Sequence, residues 1–236
     1  MKADLLYEGK AKKVYQAAKQ LGKLVLSYKD DATAFNGEKR ASFAGKGHLN
    51  NEISSRIFEY LRERGIDSHF IEQLNETEQL VNKTEIIPLE VVVRNVAAGS
   101  ITRRLGIEEK TNLYPPIVEL YYKKDELGDP LINDEHAILL CNITPVELQE
   151  IKTKALQINN HLSELFTGLG VILADFKLEF GKIKDDIVLS DEISPDTCRL
   201  WDKETMNKLD KDVFRQGTGN IIEVYEEILH RLEAIV

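Results

Sequence analysis

Apolar and polar positions along the chain follow two periods, and stretches of each kind are segregated more than alternated. "LLYEGKAKKVYQ" and "KLVLSY" carry the every-second-residue pattern of neighbouring strands. Ile53, Ile57, Phe58 and Leu61 recur at helical spacing and predict a helix ending near Gly65. "HFIEQL" and "EQLVNK" predict two further short strands around a polar turn, and "IIPLEVVVRN" another, with Pro88 near its start where a missing N–H is tolerated. "TPVE" is a helix start: Thr144 as N-cap, Pro145 at the first position and Glu147 closing a capping box. That helix runs on through Ile151, Ala155, Ile158, Leu162 and Leu165, with Gly168 as its expected end. The last helix, from about Asn220, puts Ile221, Tyr225, Ile228, Leu232 and Ile235 on one face. Segregated strands and helices predict an α+β fold. A polar patch at Lys83 to Glu85 predicts a boundary, with an N-terminal part over 1–84 and a larger part over 85–236.

Composition narrows the classes of function. A chain of 236 residues can bury a substantial core without staples, and 42% hydrophobic with 30% charged residues is ordinary for a soluble protein. A net charge of −9 argues against a general binder of nucleic acid or anionic membranes, which needs surplus Lys and Arg. An anionic ligand must then be held by a local basic site. Cys141 and Cys198 fit no disulfide framework, the N-terminal residues lack an apolar leader core, and no stretch approaches roughly 18 apolar residues. A cytoplasmic protein is expected. The five histidines form no metal-ligand spacing, which counts against a zinc site.

Four segments could carry chemistry. In "VILADFKLEFG" (171–181), alternation puts Asp175, Lys177 and Glu179 on one face and Phe176, Leu178 and Phe180 on the other, same-face neighbours lying about 6.6 Å apart. One face is core and the other lines something polar. "GKIKDDIVLSDEIS" follows as a hairpin partner. A three-residue loop at Lys184 to Asp186 sets Glu179 opposite Asp191, whereas a two-residue loop turns Asp191 to the other face, in phase with Ile187, Leu189 and Ile193. Opposed carboxylates repel, and Mg²⁺ held by one or two carboxylates plus phosphate oxygens is the usual remedy. A solvated strand face with surface ion pairs has the same alternation.

In "PLEVVVRNVAAGS" (88–100), Glu90, Val92 and Arg94 share a strand face, and Gly99 and Ser100 open a short helix with Ser100 as predicted N-cap. Free N–H groups, a hydroxyl and the Arg94 fork suit a phosphate. "YEGKAKKVY" (7–15) places a glycine among Lys10, Lys12 and Lys13, which could fold over a triphosphate; a lysine-protected hairpin edge reads the same way. "SPDTCRLWD" and "DKDVFRQG" bring Arg199 and Arg215 into turn-rich segments, where binding groups and simple surface pairs both occur.

Together with "RRLGIEE", these segments resemble, in order and spacing over nearly the whole chain, the phosphoribosylaminoimidazole-succinocarboxamide synthase, or SAICAR synthetase, family. The resemblance implies a ligase that joins L-aspartate to the carboxylate of carboxyaminoimidazole ribonucleotide (CAIR) and splits ATP to ADP and phosphate, with Mg²⁺. It implies an N-terminal antiparallel sheet covering ATP, a larger C-terminal α+β part, a cleft between them, and a homodimer. Lys10, Ala11, Lys12 and Val14 would form the loop over ATP, with Lys177 reaching its phosphates. Glu179 and Asp191 would hold Mg²⁺ and therefore share a face, which calls for the three-residue loop in the 181 to 187 turn or a bulge that restores the same phase. Arg94, Gly99, Ser100 and Arg199 would take the 5′-phosphate of CAIR and neighbouring groups, and Glu90 and Asp129 would lie near its carboxylate, where Glu90 could share a second metal. Arg215 would meet a substrate carboxylate, and Asp175 belongs to the site without an assigned role. In "ATAFNGEK" the family pattern has an acidic residue or asparagine before Gly37; Asn36 meets the looser form and leaves the L-aspartate pocket the least determined part. A small-metabolite kinase and a nucleotide-binding regulator without turnover are the rival readings of the same lysines and carboxylates.

Overall fold

A computed structural model describes residues 2–34 and 39–234, so Asn36 lies outside the described residues. The chain begins with β1 (Lys2–Glu8), β2 (Lys12–Ala17) and β3 (Lys23–Tyr28), then the small hairpin β4 (Asp31–Ala34) and β5 (Lys39–Ser42). Helix α1 (Lys46–Arg62) leads to β6 (Phe70–Asn75) and β7 (Glu78–Asn82). The first sheet is antiparallel in the order β1-β2-β3-β7-β6. Gly47 lets α1 start hard against this sheet, since a Cβ there would come 2.9 Å from the Tyr28 carbonyl oxygen.

The chain changes sheets after Asn82. Strand β8 (Glu85–Val96) is followed by α2 (Ser100–Leu105), β9 (Asn112–Tyr122), the two-residue β10 (Leu131–Ile132), α3 (Asp134–Cys141) and α4 (Pro145–Gly168). Then come β11 (Val171–Ile183), β12 (Asp186–Ser190), β13 (Cys198–Asp202), α5 (Asp212–Gln216) and α6 (Ile221–Glu233). The second sheet, also antiparallel, runs β10-β9-β8-β11, and β11 pairs on its far side first with β13 and then with β12. The fold is α+β, with segregated antiparallel sheets.

The predicted capping box of α4 is present: the Thr144 hydroxyl accepts from the Glu147 N–H at 3.2 Å, and Glu147 accepts from the Thr144 N–H at 2.7 Å. The helix ends at Gly168 as expected, and the left-handed glycine that then turns the chain is Gly170. Pro88 sits where β8 slips register against β11, between the Ile86 and Glu90 pairings, so its missing N–H interrupts no regular ladder there. The main core joins Ile53, Ile57 and Phe58 of α1 to Val91 and Val93 of β8, Phe176 and Leu178 of β11, and Ile158 and Leu162 of α4. The five-stranded sheet is therefore tied through α1 to the same core as the second sheet.

Candidate active site

Strand β11 organises the site because its partner changes midway. Residues 171–176 pair with β13 and residues 179–183 with β12; between them the Lys177 N–H donates to the Thr197 carbonyl at 2.9 Å. The chain from Asp191 to Thr197 leaves the sheet at that gap. On the other edge, Asp175 faces Arg94, Lys177 faces Val92 and Glu179 faces Glu90 across β8. Opposite residues share a face, so the polar face is a continuous patch, while Phe176, Leu178 and Phe180 are buried in the core beneath it.

The predicted three-residue hairpin loop is corrected. Ile183 pairs with Asp186, so the loop has two residues, and Glu179 faces Ser190 rather than Asp191. Asp191 still reaches the site because it adopts φ 63° just past the end of β12. This left-handed residue breaks the strand's alternation, and aspartate tolerates that conformation better than most residues. Its Oδ2 lies 3.6 Å from Lys177 Nζ. A second correction concerns α2: Gly99, at φ 65° and ψ −126°, holds the N-cap position and Ser100 is the first helical residue.

Two adjoining cavities open on this face. The first, about 400 Å³, has an apolar end of Val14, Leu24, Leu26, Val81 and Ile86, supplied by the first sheet and the start of β8. Its other end holds five lysines and eight carboxylates. Lys177 Nζ bonds Glu179 at 2.5 Å and Glu90 at 3.2 Å, and Lys123 pairs with the other Glu179 oxygen. Lys12 Nζ bonds Asp191 at 2.5 Å and Glu192 at 3.0 Å. Burial disfavours the Lys177 ammonium, but Glu179, Asp191 and Glu90 outweigh it and hold its pKa well above the usual lysine value. Burial likewise opposes the Asp191 carboxylate, and Lys12, Lys177 and Lys123 keep its pKa well below the usual range.

The second cavity, about 320 Å³, has the opposite balance, with six cationic and three acidic side chains. Arg94 is buried and bonds Asp175 at 2.5 Å and Glu119 at 2.7 Å, with Ser100 Oγ 3.2 Å away. Arg199 bonds Asp175 and Asp212, each at 3.0 Å, and Arg215 bonds Asp212 at 2.5 Å. Gly99 is required beside Arg199: a Cβ there would lie 2.5 Å from the guanidinium carbon. Asp175 is thus the anion that holds two arginines on one wall. Lys10, Glu90, Lys177 and Lys211 line both cavities, and the two spaces meet at Lys177.

The sequence model of the SAICAR synthetase family matches residues 5–232. A relative from Oceanobacillus iheyensis, named phosphoribosylaminoimidazole-succinocarboxamide synthase, is 67% identical over 237 residues and covers 100% of both chains. The chain belongs to the SAICAR synthetase family. The Bacillus subtilis protein of the same name is 56% identical over 100% of this chain and 98% of its own. Among solved structures, the synthase of Ehrlichia chaffeensis has a TM-score of 0.95 at 49% identity, covering 99% of this chain and 100% of its own. A SAICAR synthetase (Type-2) solved in complex with ADP has a TM-score of 0.94 at 52% identity, covering 97% of each. SAICAR synthetases are ATP-dependent ligases of purine biosynthesis, and this chain is one of that class.

Of the residues predicted from the SAICAR synthetase pattern, Lys10, Ala11, Lys12, Val14, Glu90, Lys177, Glu179, Asp191 and Asp129 border the first cavity. Arg94, Asp175, Arg199 and Arg215 border the second, with Glu90, Lys10 and Lys177 on both. Ser100 touches the second through Arg94. Asp129 lies on the first cavity only, its Oδ1 accepting from the Lys124 N–H at 2.8 Å. Sequence reasoning missed Lys123, Glu192, Glu119, Asp196, Lys211 and Lys46. Lys211 and Asp196 stood inside quoted segments without a pattern to single them out, and Lys46 gives no local signal at all.

Among the described residues no three His, Cys, Asp or Glu side chains converge as a metal cage. Glu179 and Asp191 nevertheless converge on one ammonium group, Lys177 Nζ, so two carboxylates already share a cation-sized position. That donor set fits Mg²⁺ brought in with phosphate oxygens, and not a metal held by protein alone.

Proposed function

We propose that this cleft joins L-aspartate to CAIR through an acyl phosphate, giving SAICAR, ADP and phosphate. The observation that carries the reading is the meeting of the two cavities, one rich in carboxylates and lysines with an apolar end, the other cationic, at Lys177. The nucleotide base lies against Val14, Leu24 and Val81, and the loop of Lys10, Ala11 and Lys12 covers the phosphates. Glu179 and Asp191, with Glu90 for a second ion, would hold Mg²⁺, whose charge would offset that developing on the transferred phosphoryl group. Lys177 moves from its carboxylates to the phosphates as they arrive. Arg94, Arg199 and Ser100 grip the CAIR phosphate in the second cavity, Asp175 keeps both guanidinium groups aimed, and Arg215 takes a substrate carboxylate. Asp129 lies near the γ-phosphate side of the CAIR carboxylate.

A carboxylate is a poor acyl donor, and phosphorylation supplies the leaving group that the amine of L-aspartate displaces. The protein contributes position and charge neutralisation, which is what lysines, arginines and fixed carboxylates provide. Residues 1–84 act as the ATP-covering part and 85–236 as the nucleotide-substrate part of a cytoplasmic homodimer. The decisive experiment uses CAIR labelled with ¹⁸O in its carboxylate. Release of ADP that requires both CAIR and L-aspartate, with one ¹⁸O delivered to inorganic phosphate, supports the reading. ADP released without L-aspartate, alongside a stable phosphorylated acceptor, would instead make the protein a kinase.

A further inference from the structure

The wall shared by the two cavities contains an amine that lacks a close partner. Lys211 lies just before α5 and faces both spaces. Its nearest carboxylate oxygen among the described residues, Asp196 Oδ2, is 3.7 Å away, beyond hydrogen-bond distance. Asp196 is already matched. Its Oδ2 accepts from Lys46 Nζ at 2.6 Å, and its Oδ1 accepts from the Tyr225 hydroxyl at 2.5 Å. Lys46 is wholly buried and serves as the counter-ion, so Lys211 is a second cation beside a carboxylate that needs one.

The charged groups facing Lys211 come from each element around it: Lys46 of α1, Asp196 and Glu192 of the chain between β12 and β13, and Arg215 of α5. Burial lowers the Lys211 pKa, Asp196 and Glu192 oppose the shift, and Lys46 and Arg215 reinforce it; the net displacement is downward. A half-buried lysine beside a carboxylate already neutralised by Lys46 gives up its proton more readily than an exposed one and can act as a base.

We propose that Lys211 is the proton acceptor for the incoming amino donor, taking one proton from the α-ammonium of L-aspartate at the junction of the cavities. The proposal rests on the acyl-phosphate reading above. In this step an N–H bond of the ammonium breaks and one forms on the neutral Lys211 amine. The freed lone pair then forms the C–N bond as the acyl C–O bond to phosphate breaks, its electron pair and the second proton of the amine going to the departing phosphate. The Lys46–Asp196–Tyr225 group is the positioning device that keeps Lys211 in place without claiming its lone pair.

The test compares wild type, Lys211→Met and Lys211→Arg for SAICAR formation across pH, with far-UV circular dichroism and thermal unfolding as the check on folding. Both variants are expected to keep the native fold and to lose about 100-fold or more of kcat/KM for L-aspartate, because neither side chain can accept the proton. Turnover restored by Lys211→Arg, or a loss confined to the KM for L-aspartate, would show a cation that only holds a carboxylate, and would overturn the proposal. If a variant fails to fold, the wild-type profile decides. With an enzymic base, kcat/KM for L-aspartate levels off at a pH below the titration of free L-aspartate; a unit-slope rise up to that titration means that only the free amine reacts. Failure of wild type to form any amide from CAIR and L-aspartate would refute the reaction itself, before Lys211 enters the comparison.

Discussion

Lys177 is the side chain on which three carboxylates converge, and its removal leaves Glu90, Glu179 and Asp191 facing one another. Lys177→Ala is expected to reduce ADP release at least 100-fold in a coupled assay, while the far-UV spectrum stays native because the core lies on the opposite face of β11. His69 carries a second prediction. It packs against Phe58, its Nε2 lies 3.1 Å from the Asp191 carbonyl oxygen, and burial depresses its pKa from 6.5 to about 4. Between those values the unfolded chain binds the extra proton, so His69's contribution to stability is complete above about pH 6.5 and is lost as pH falls towards 4. Asp210, pushed up to about 7 by burial and Asp212, acts in the opposite sense over the same window. The clean readout is therefore a difference: the fall in Tm from pH 7.5 to 5 should be larger for wild type than for His69→Gln.

Among the elements, β11 was the most legible in sequence, because a two-residue period with charges on one side and phenylalanines on the other admits few meanings. Its hairpin was not legible. Counting loop residues cannot reveal that Asp191 leaves the strand in a left-handed conformation, since aspartate is also compatible with an extended strand. The capping box of α4 was readable because its two hydrogen bonds are made within four consecutive residues. Thr144→Ala should lower stability by about 1 kcal/mol in urea unfolding and leave kcat unchanged, as the cap lies outside both cavities. By contrast, the pairing of Lys46 with Asp196 spans 150 positions, and no local pattern announces a contact that only the packing of α1 against the chain after β12 creates.

For the whole molecule, the net charge of −9 excluded broad polyanion binding but could not show that acidic and basic groups are sorted into neighbouring cavities. The sorting has a measurable effect on nucleotide binding. A polyphosphate entering a space where carboxylates outnumber lysines needs divalent cations, so chelating Mg²⁺ should weaken ADP binding at least tenfold by calorimetry. The shared core bears on something else, the autonomy of the two halves. Ile53, Ile57 and Phe58 of α1 are fully buried in a core cluster most of whose members follow position 84. A fragment of residues 85–236 would therefore uncover an apolar face that α1 normally closes, and it should be recovered as aggregate, whereas the intact chain unfolds in one transition. The seam at Lys83 divides the two sheets, while α1 lies in the core on its far side.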